Sequence, residues 1–305
     1  MASPTNLESV GLALTGFTCW VLADTSIKLA GASNLPAYEI LAFLGLIIAV
    51  ILLVRGALKR EVSACWPRKA KPQLLRSSLD LANNICVVIA LRHLPLTLFY
   101  ILVFLSPMVI TLLAAIFLGE RLEWQKGAAI VAGFAGVVVA VHPFGGSQQG
   151  DWIGFLACMV CVSCFSVNMV WSRVLTQTET PESLVFFSAV MMAVLGGGAM
   201  LFHAEPVNAR LLFILIAMGL FCACGSICFF VALKHTSAAN VSQYHYTQLI
   251  TGAIITYALW REKPTLSMLA GAAIIIAAGV YIAVRSSRAG SPDEPSPLEF
   301  GIPEK

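Results

Sequence analysis

Charge is scarce in this chain: Asp, Glu, Lys and Arg make up 11% of its 305 residues, where ordinary soluble domains carry about 25%. Hydrophobic residues reach 58%, which excludes an ordinary soluble domain. No Walker A pattern is present, so ATP-driven pumping by this chain has no support. Neither HExxH, GxSxG nor another credible catalytic set appears, so no catalytic residue and no cofactor are expected and the chain reads as a non-enzyme. Cys158, Cys161 and Cys164 imitate the start of an iron–sulfur motif. With no fourth ligand at suitable spacing they read instead as small apolar residues on a packed helix, and no metal is expected. The first eight residues hold no Lys or Arg, which argues against a cleavable signal peptide.

Long apolar runs are abundant instead. A helix needs about 20 apolar residues to cross about 30 Å of hydrocarbon, and ten such spans are expected at roughly 9–29, 37–54, 75–91, 95–118, 124–141, 152–172, 183–202, 211–233, 237–260 and 266–284. The expected fold is therefore all-α and polytopic. Residues 1–8 read as a cytoplasmic N-terminus and 285–305, rich in Pro, Ser and charge, as a disordered cytoplasmic tail. Most of the 19 Lys and Arg fall in the connections on the side of the N-terminus. The positive-inside rule then places both termini in the cytoplasm of a multi-pass protein of the bacterial inner membrane. The net charge of +3 is a topology signal, and no nucleic-acid partner is expected.

An internal repeat orders these spans. Ala90-Leu91-Arg92-His93 returns as Ala232-Leu233-Lys234-His235, and each copy is followed at equal spacing by an acid and a base, Glu120-Arg121 and Glu262-Lys263. Five spans separate equivalent points. An odd number inverts the second copy, so residues 9–146 and 147–284 form two inverted five-helix repeats around a central cavity, an arrangement found in secondary transporters.

The run SPMVITLLAAIFLGERLEWQKGAAIVAGFAGVVVAVHP, residues 106–143, resembles the EamA domain of the drug/metabolite transporter superfamily. Pro107 stands thirteen residues before Glu120 and a Gly-rich helix follows. The second half departs from this pattern with Leu249 at the position of Pro107. The resemblance covers residues 9–284 and, within the superfamily, is greatest to bacterial exporters of amino acids, including aromatic amino acid exporters. It implies a site lined by the first, third and fourth helices of each half, with the fifth helix outside.

Polar groups inside hydrocarbon are costly, so their faces point to the site. At about 100° per residue the ninth span groups Asn240, Gln243, Tyr244, Thr247, Gln248 and Thr251 within about 140°, leaving His245 and Tyr246 outside. That stripe faces either a cavity or a hydrogen-bonded neighbouring helix. On the third span Arg76, Ser77, Asp80, Asn83 and Asn84 share a face; Asp80 is either a structural partner of Arg76 or a transport residue. The first span aligns Phe17, Trp20, Asp24 and Lys28, with Asp24 and Lys28 expected to neutralise each other or to gate one mouth. Tyr100, Phe104 and Pro107 share a face of the fourth span, and Asn168 with Trp171 at its edge marks the sixth. Substrate binding is thus expected at Phe17, Trp20, Asn83, Asn84, Tyr100, Phe104, Asn168, Trp171, Tyr244 and Gln248, with coupling or gating at Asp24, Lys28, Asp80 and Pro107. Gly196-Gly197-Gly198 is a second candidate flexible point beside Pro107.

A cavity of aromatic, amide and hydroxyl groups suits a small amphipathic or zwitterionic solute. It disfavours phosphorylated ones, for which no midplane cluster of Arg or Lys exists. The expected function is export of amino acids or related metabolites by alternating access, with a lipophilic-drug exporter or a channel as alternatives. Membrane lipid is the surrounding partner, and the Gly-rich spans 5 and 10 could support a homodimer.

Overall fold

The computed structural model describes residues 6–33, 35–117, 124–141, 151–235, 241, 244–261 and 263–288. Glu120, Arg121, Asn240, Gln243 and Glu262, which carried part of the sequence argument, lie outside the described residues. Among the described residues the α-helices run in order: α1 Asn6–Gly31, α2 Ala37–Lys59, α3 Ala70–His93, α4 Leu96–Val103, α5 Ser106–Phe117, α6 Trp124–Val141, α7 Trp152–Leu175, α8 Pro181–Met200, α9 Ala209–His235, α10 Thr247–Trp260 and α11 Leu266–Arg288. Short 3-10 turns at Val62–Cys65 and Tyr244–Tyr246 complete the described elements. Eight of the expected spans are long and apolar enough to cross a membrane. The ninth is carried by the Tyr244–Tyr246 turn with α10, and the tenth by α11, which continues to Arg288, beyond its expected end at 284.

Helix starts follow local chemistry. Asp151 caps α7 by accepting the Gly154 N–H at 3.0 Å, and its carboxylate also meets His93 Nδ1 at 2.7 Å. Thr180 caps α8 through Ser183 N at 3.1 Å, with Pro181 following at the first helical position. α2 ends where Arg60 takes a left-handed conformation at φ 55° and sends its N–H back to the Ala57 carbonyl.

Packing reproduces the duplicated plan. α1 lies along α9 and α3 along α7, while α2 pairs with α8, α4 with α10, and α6 with α11. Each pairing joins the two halves, and exchanging the halves maps the set onto itself, which is the two-fold relation expected of an inverted repeat. At the α2–α8 crossing a Cβ on Gly196 would stand 2.5 Å from the Tyr38 carbonyl oxygen and 2.8 Å from Ala42 N. Gly196 is therefore a close-packing residue, and α8 runs as a helix through Gly196–Gly198. Likewise a Cβ on Gly271 would meet Gly136 O and Ala140 Cβ at 2.5 Å. Gly136 and Gly271 thus let α6 and α11 pack closely.

The fourth span breaks. Pro107 has no N–H to give the Val103 carbonyl, and the Ser106 hydroxyl donates to that oxygen at 2.6 Å. The turn through Phe104 and Leu105 is closed by a three-residue bond from Leu105 N to Leu102 O at 3.0 Å. In the second half the Tyr244–Tyr246 turn stands at the equivalent place, directly before α10, and Thr247 Oγ1 donates to Tyr244 O at 2.7 Å. Leu249 replaces the proline there, so a side-chain hydroxyl beside the break is what the two halves share.

Candidate functional site

A cavity of about 140 Å³ lies between the halves, walled by α1, α2, α3 and α4 from the first and by α7, α8, α9, His245 and Gln248 from the second. α6 and α11 contribute nothing to its wall. Of the expected site residues, Trp20, Asp24, Asp80, Asn83, Asn84, Tyr100, Asn168 and Gln248 line it.

Others sit elsewhere. Phe17 and Phe104 are buried one layer behind, packed on His245 with ring centroids 4.8 and 5.9 Å away. Trp171 donates its indole N–H to Pro72 O at 3.3 Å and Tyr244 gives its carbonyl to Thr247; neither lines the cavity. Pro107 shapes the break between α4 and α5. Lys28 also stays off the wall: its ammonium donates to Leu94 O at 2.8 Å and stands 5.6 Å from the Trp260 ring centroid. The expected Asp24–Lys28 pair gives way to a different one, because Asp24 Oδ2 accepts from the Tyr100 hydroxyl at 2.9 Å.

Arg76 anchors the wall formed by α3, α7 and α8. Only 1% exposed, it donates from Nε to Ser172 Oγ at 3.1 Å and from Nη1 to Leu184 O at 2.7 Å and Ser188 Oγ at 2.9 Å. Its Nη2 lies 3.6 Å from Asp80 Oδ2, and its guanidinium carbon is 4.9 Å from the Phe230 ring centroid. Asp80 Oδ1 accepts from Asn168 Nδ2 at 3.2 Å, while Asn168 Oδ1 accepts from Ser172 Oγ at 3.0 Å. A buried guanidinium needs this many acceptors to offset its lost hydration. The network welds three helices from both halves on the cavity wall. The Asp24–Tyr100 pair, the Asn83 and Asn84 amides and an aromatic cluster also line it, and there Trp20 packs 4.8 Å from Phe229 and 6.4 Å from Phe165.

Sequence reasoning missed His245. It lies on the 3-10 turn, where about three residues rather than 3.6 complete a turn, so a phase projected from a continuous helix fails. The ring faces inward, stacked on Phe17 and 5.4 Å from Phe165. The α2 and α8 wall residues Leu44, Ile48, Ser188 and Met192 were also missed, since ordinary packing residues carry no signal of their own.

One buried carboxylate outside the cavity ties the two halves together. Glu179, in the α7–α8 connection, accepts the backbone N–H groups of Arg68 and Lys69 at 2.9 and 2.8 Å and the Ser183 hydroxyl at 3.1 Å. It clasps the α2–α3 connection of the first half to the second, beside Thr180 Oγ1, which donates to Ala64 O at 2.5 Å.

Comparison with known proteins gives a consistent result. The EamA-like transporter family matches the chain twice, over residues 8–141 and 152–285. An S-adenosylmethionine uptake transporter of Rickettsia felis is 26% identical over 95% of this chain and 97% of its own length. The pseudopaline exporter CntI of Pseudomonas aeruginosa is 26% identical over 88% of this chain and 93% of its own. A riboflavin transporter of Brucella anthropi is 22% identical, covering 87% and 94%. One crystal structure shares the fold with a TM-score of 0.67 at 21% identity, covering 92% of this chain and 99% of that one.

Proposed function

The chain belongs to the EamA-like transporter family, and on that premise we propose that it is a secondary transporter exporting amino acids or similar small amphipathic metabolites by alternating access. The observation that carries this reading is a cavity shared by both halves, beside the break between α4 and α5 in the first and the Tyr244–Tyr246 turn at the equivalent place in the second. Interrupted helices near the centre of inverted repeats are the sites that such carriers use. Aromatic faces, amides and hydroxyls bind a partly apolar solute, and the Arg76–Asp80 pair stands on the wall without leaving a cluster of bases that would call for phosphate.

We place it in the cytoplasmic membrane of a bacterium with both termini cytoplasmic, because the bases concentrate on the side of the N-terminus. It acts without catalysis on its cargo. The transporters it resembles carry different cargoes in different directions, which supports a small metabolite more firmly than any one amino acid. A second reading, an exporter of lipophilic compounds, draws on the aromatic wall of Trp20, Phe165 and Phe229.

Counterflow in proteoliposomes tests the proposal. Vesicles are loaded with an unlabelled panel of amino acids, their amides and aromatic metabolites, and uptake of trace labelled compound is followed. Saturable exchange is expected for part of the panel. Uptake that rises linearly with concentration would indicate a channel, and displacement only by lipophilic drugs would favour the second reading.

A further inference from the structure

Among the described residues, three acidic or strongly basic side chains line the cavity: Asp24, Arg76 and Asp80. Arg76 and Asp80 answer each other at 3.6 Å, and the remaining bonds of Arg76 go to Ser172, Leu184 O and Ser188. One carboxylate, Asp24, is left over. A carboxylate offers about four acceptor positions, and the bond from the Tyr100 hydroxyl at 2.9 Å occupies one. Two further bases are engaged elsewhere. Lys28 donates to Leu94 O and Arg92 to Leu35 O, and neither lines the cavity. An ionised carboxylate within the hydrocarbon is costly unless a cation meets it.

One turn before Asp24 on the same face is Trp20, which also lines the cavity. Its indole N–H donates to Ser226 Oγ at 3.3 Å and its ring is packed against Phe229 and Phe165. Side chains one helical turn apart stand about 5–6 Å from each other, so one cationic group can touch the Asp24 carboxylate and the Trp20 ring together. Indole is the best aromatic partner for a cation.

We propose that Asp24 and Trp20 form a cation subsite, and that the cavity takes small metabolites bearing an organic ammonium group there, with Asn83 and Asn84 meeting the polar remainder. The subsite deepens the transporter reading above and rests on it for its consequence in transport. Binding at Asp24 stands apart from that reading. A substrate with an anionic group and no cation is disfavoured, since Asp24 repels it and Arg76 is already engaged.

The probes are three compounds of nearly equal size, phenethylammonium, 2-phenylethanol and phenylacetate, with choline and its neutral carbon isostere 3,3-dimethylbutan-1-ol as a second comparison. Binding to the full-length protein in lipid nanodiscs is followed by tryptophan fluorescence and by thermal shift, and counterflow is measured in parallel. The ammonium probes should bind about tenfold to a hundredfold more tightly than their neutral counterparts, the range of a charge-assisted hydrogen bond for phenethylammonium and of a desolvated cation–π contact for choline, which has no N–H to donate. Asp24→Asn should erase that preference while leaving the affinity for 2-phenylethanol within about twofold, and Asp24→Glu should retain part of it.

Equal binding of ammonium and alcohol by the unaltered protein would overturn the subsite, as would a failure of both ammonium probes to bind saturably. These results need no variant to fold. Selective binding without any counterflow would support the subsite and sink the transporter reading instead.

Discussion

Replacing Asp80 with Asn should weaken the protein by an amount that a double-mutant cycle with Arg76→Gln can isolate. The Arg76–Asp80 contact is 3.6 Å, with Arg76 2% and Asp80 22% exposed by side chain. Two unit charges about 4 Å apart interact by about 4 kcal/mol at an effective dielectric of about 20. That figure is an upper bound here, because water in the cavity reaches Asp80 and screens the pair. Asn168 still bonds whatever stands at position 80, and Arg76 keeps Ser172, Leu184 O and Ser188. A coupling of about 1–3 kcal/mol is therefore expected. At about 2–4 °C per kcal/mol for chains of 150–250 residues, Asp80→Asn should lower the apparent melting midpoint by on the order of 2–10 °C. Fluorescence-detected size exclusion after heating reads that midpoint. Arg76→Gln should cost more, since it also strands acceptors on α7 and α8, and the double variant should lose less than the two single losses combined. Additivity within about 0.5 kcal/mol would refute the argument that these charges stabilise each other.

Other expectations follow from contacts outside that pair. Ser106→Ala leaves the Val103 carbonyl without its hydroxyl donor and should cost about 1–3 kcal/mol. Adding Pro107→Ala restores a backbone N–H at the break and should recover part of the loss in the same thermal assay, whereas no recovery would show that the hydroxyl does not serve that carbonyl. Cys65 is buried at the end of the 3-10 turn within the α2–α3 connection, and burial, with the Glu182 carboxylate adding to it, holds its thiol above the usual range. It should react slowly with a maleimide, and Glu179→Gln, which leaves one carbonyl oxygen for two N–H groups, should speed that reaction severalfold by peptide mass spectrometry. An unchanged rate would mean that Glu179 does not hold the connection closed. The Asp151 carboxylate is held below its ordinary range by the Gly154 N–H and then by His93. Its contribution to the start of α7 is therefore complete above the ordinary carboxylate range and lost as pH falls through the lowered value. Hydrogen exchange at Gly154, corrected for its intrinsic pH dependence, should show protection falling only in that acid window, and protection that is flat across it would exclude the cap.

Much of the architecture was legible because the bilayer imposes it. A chain with 11% charged residues and repeated apolar runs has few ways to satisfy its backbone in hydrocarbon, and helices are the simplest. The repeated Ala-Leu-base-His signal then implied two inverted halves, and the pairing of α1 with α9 and α3 with α7 has the two-fold relation that inversion requires. Trp20, Asp24, Asp80, Asn83, Asn84, Tyr100, Asn168 and Gln248 could be placed on the cavity wall because a polar or aromatic face on a membrane helix must turn toward something other than lipid.

What the tertiary structure alone decided concerns partners and phase. Asp24 and Lys28 share a helix face one turn apart, yet which neighbour each meets depends on Tyr100 and Leu94 arriving from another part of the chain. His245 was projected off the inward face because a single helical period was carried through a break where the winding changes. Gly196 packs at the crossing of α2 with α8, and Gly136 and Gly271 pack at that of α6 with α11, partners that no single helix could name. Sequence periodicity thus determined which side chains avoid lipid, since that depends on helix geometry alone. Which of them touch, Asp24 with Tyr100 and Lys28 with Leu94 among them, was settled only when elements distant in sequence packed together.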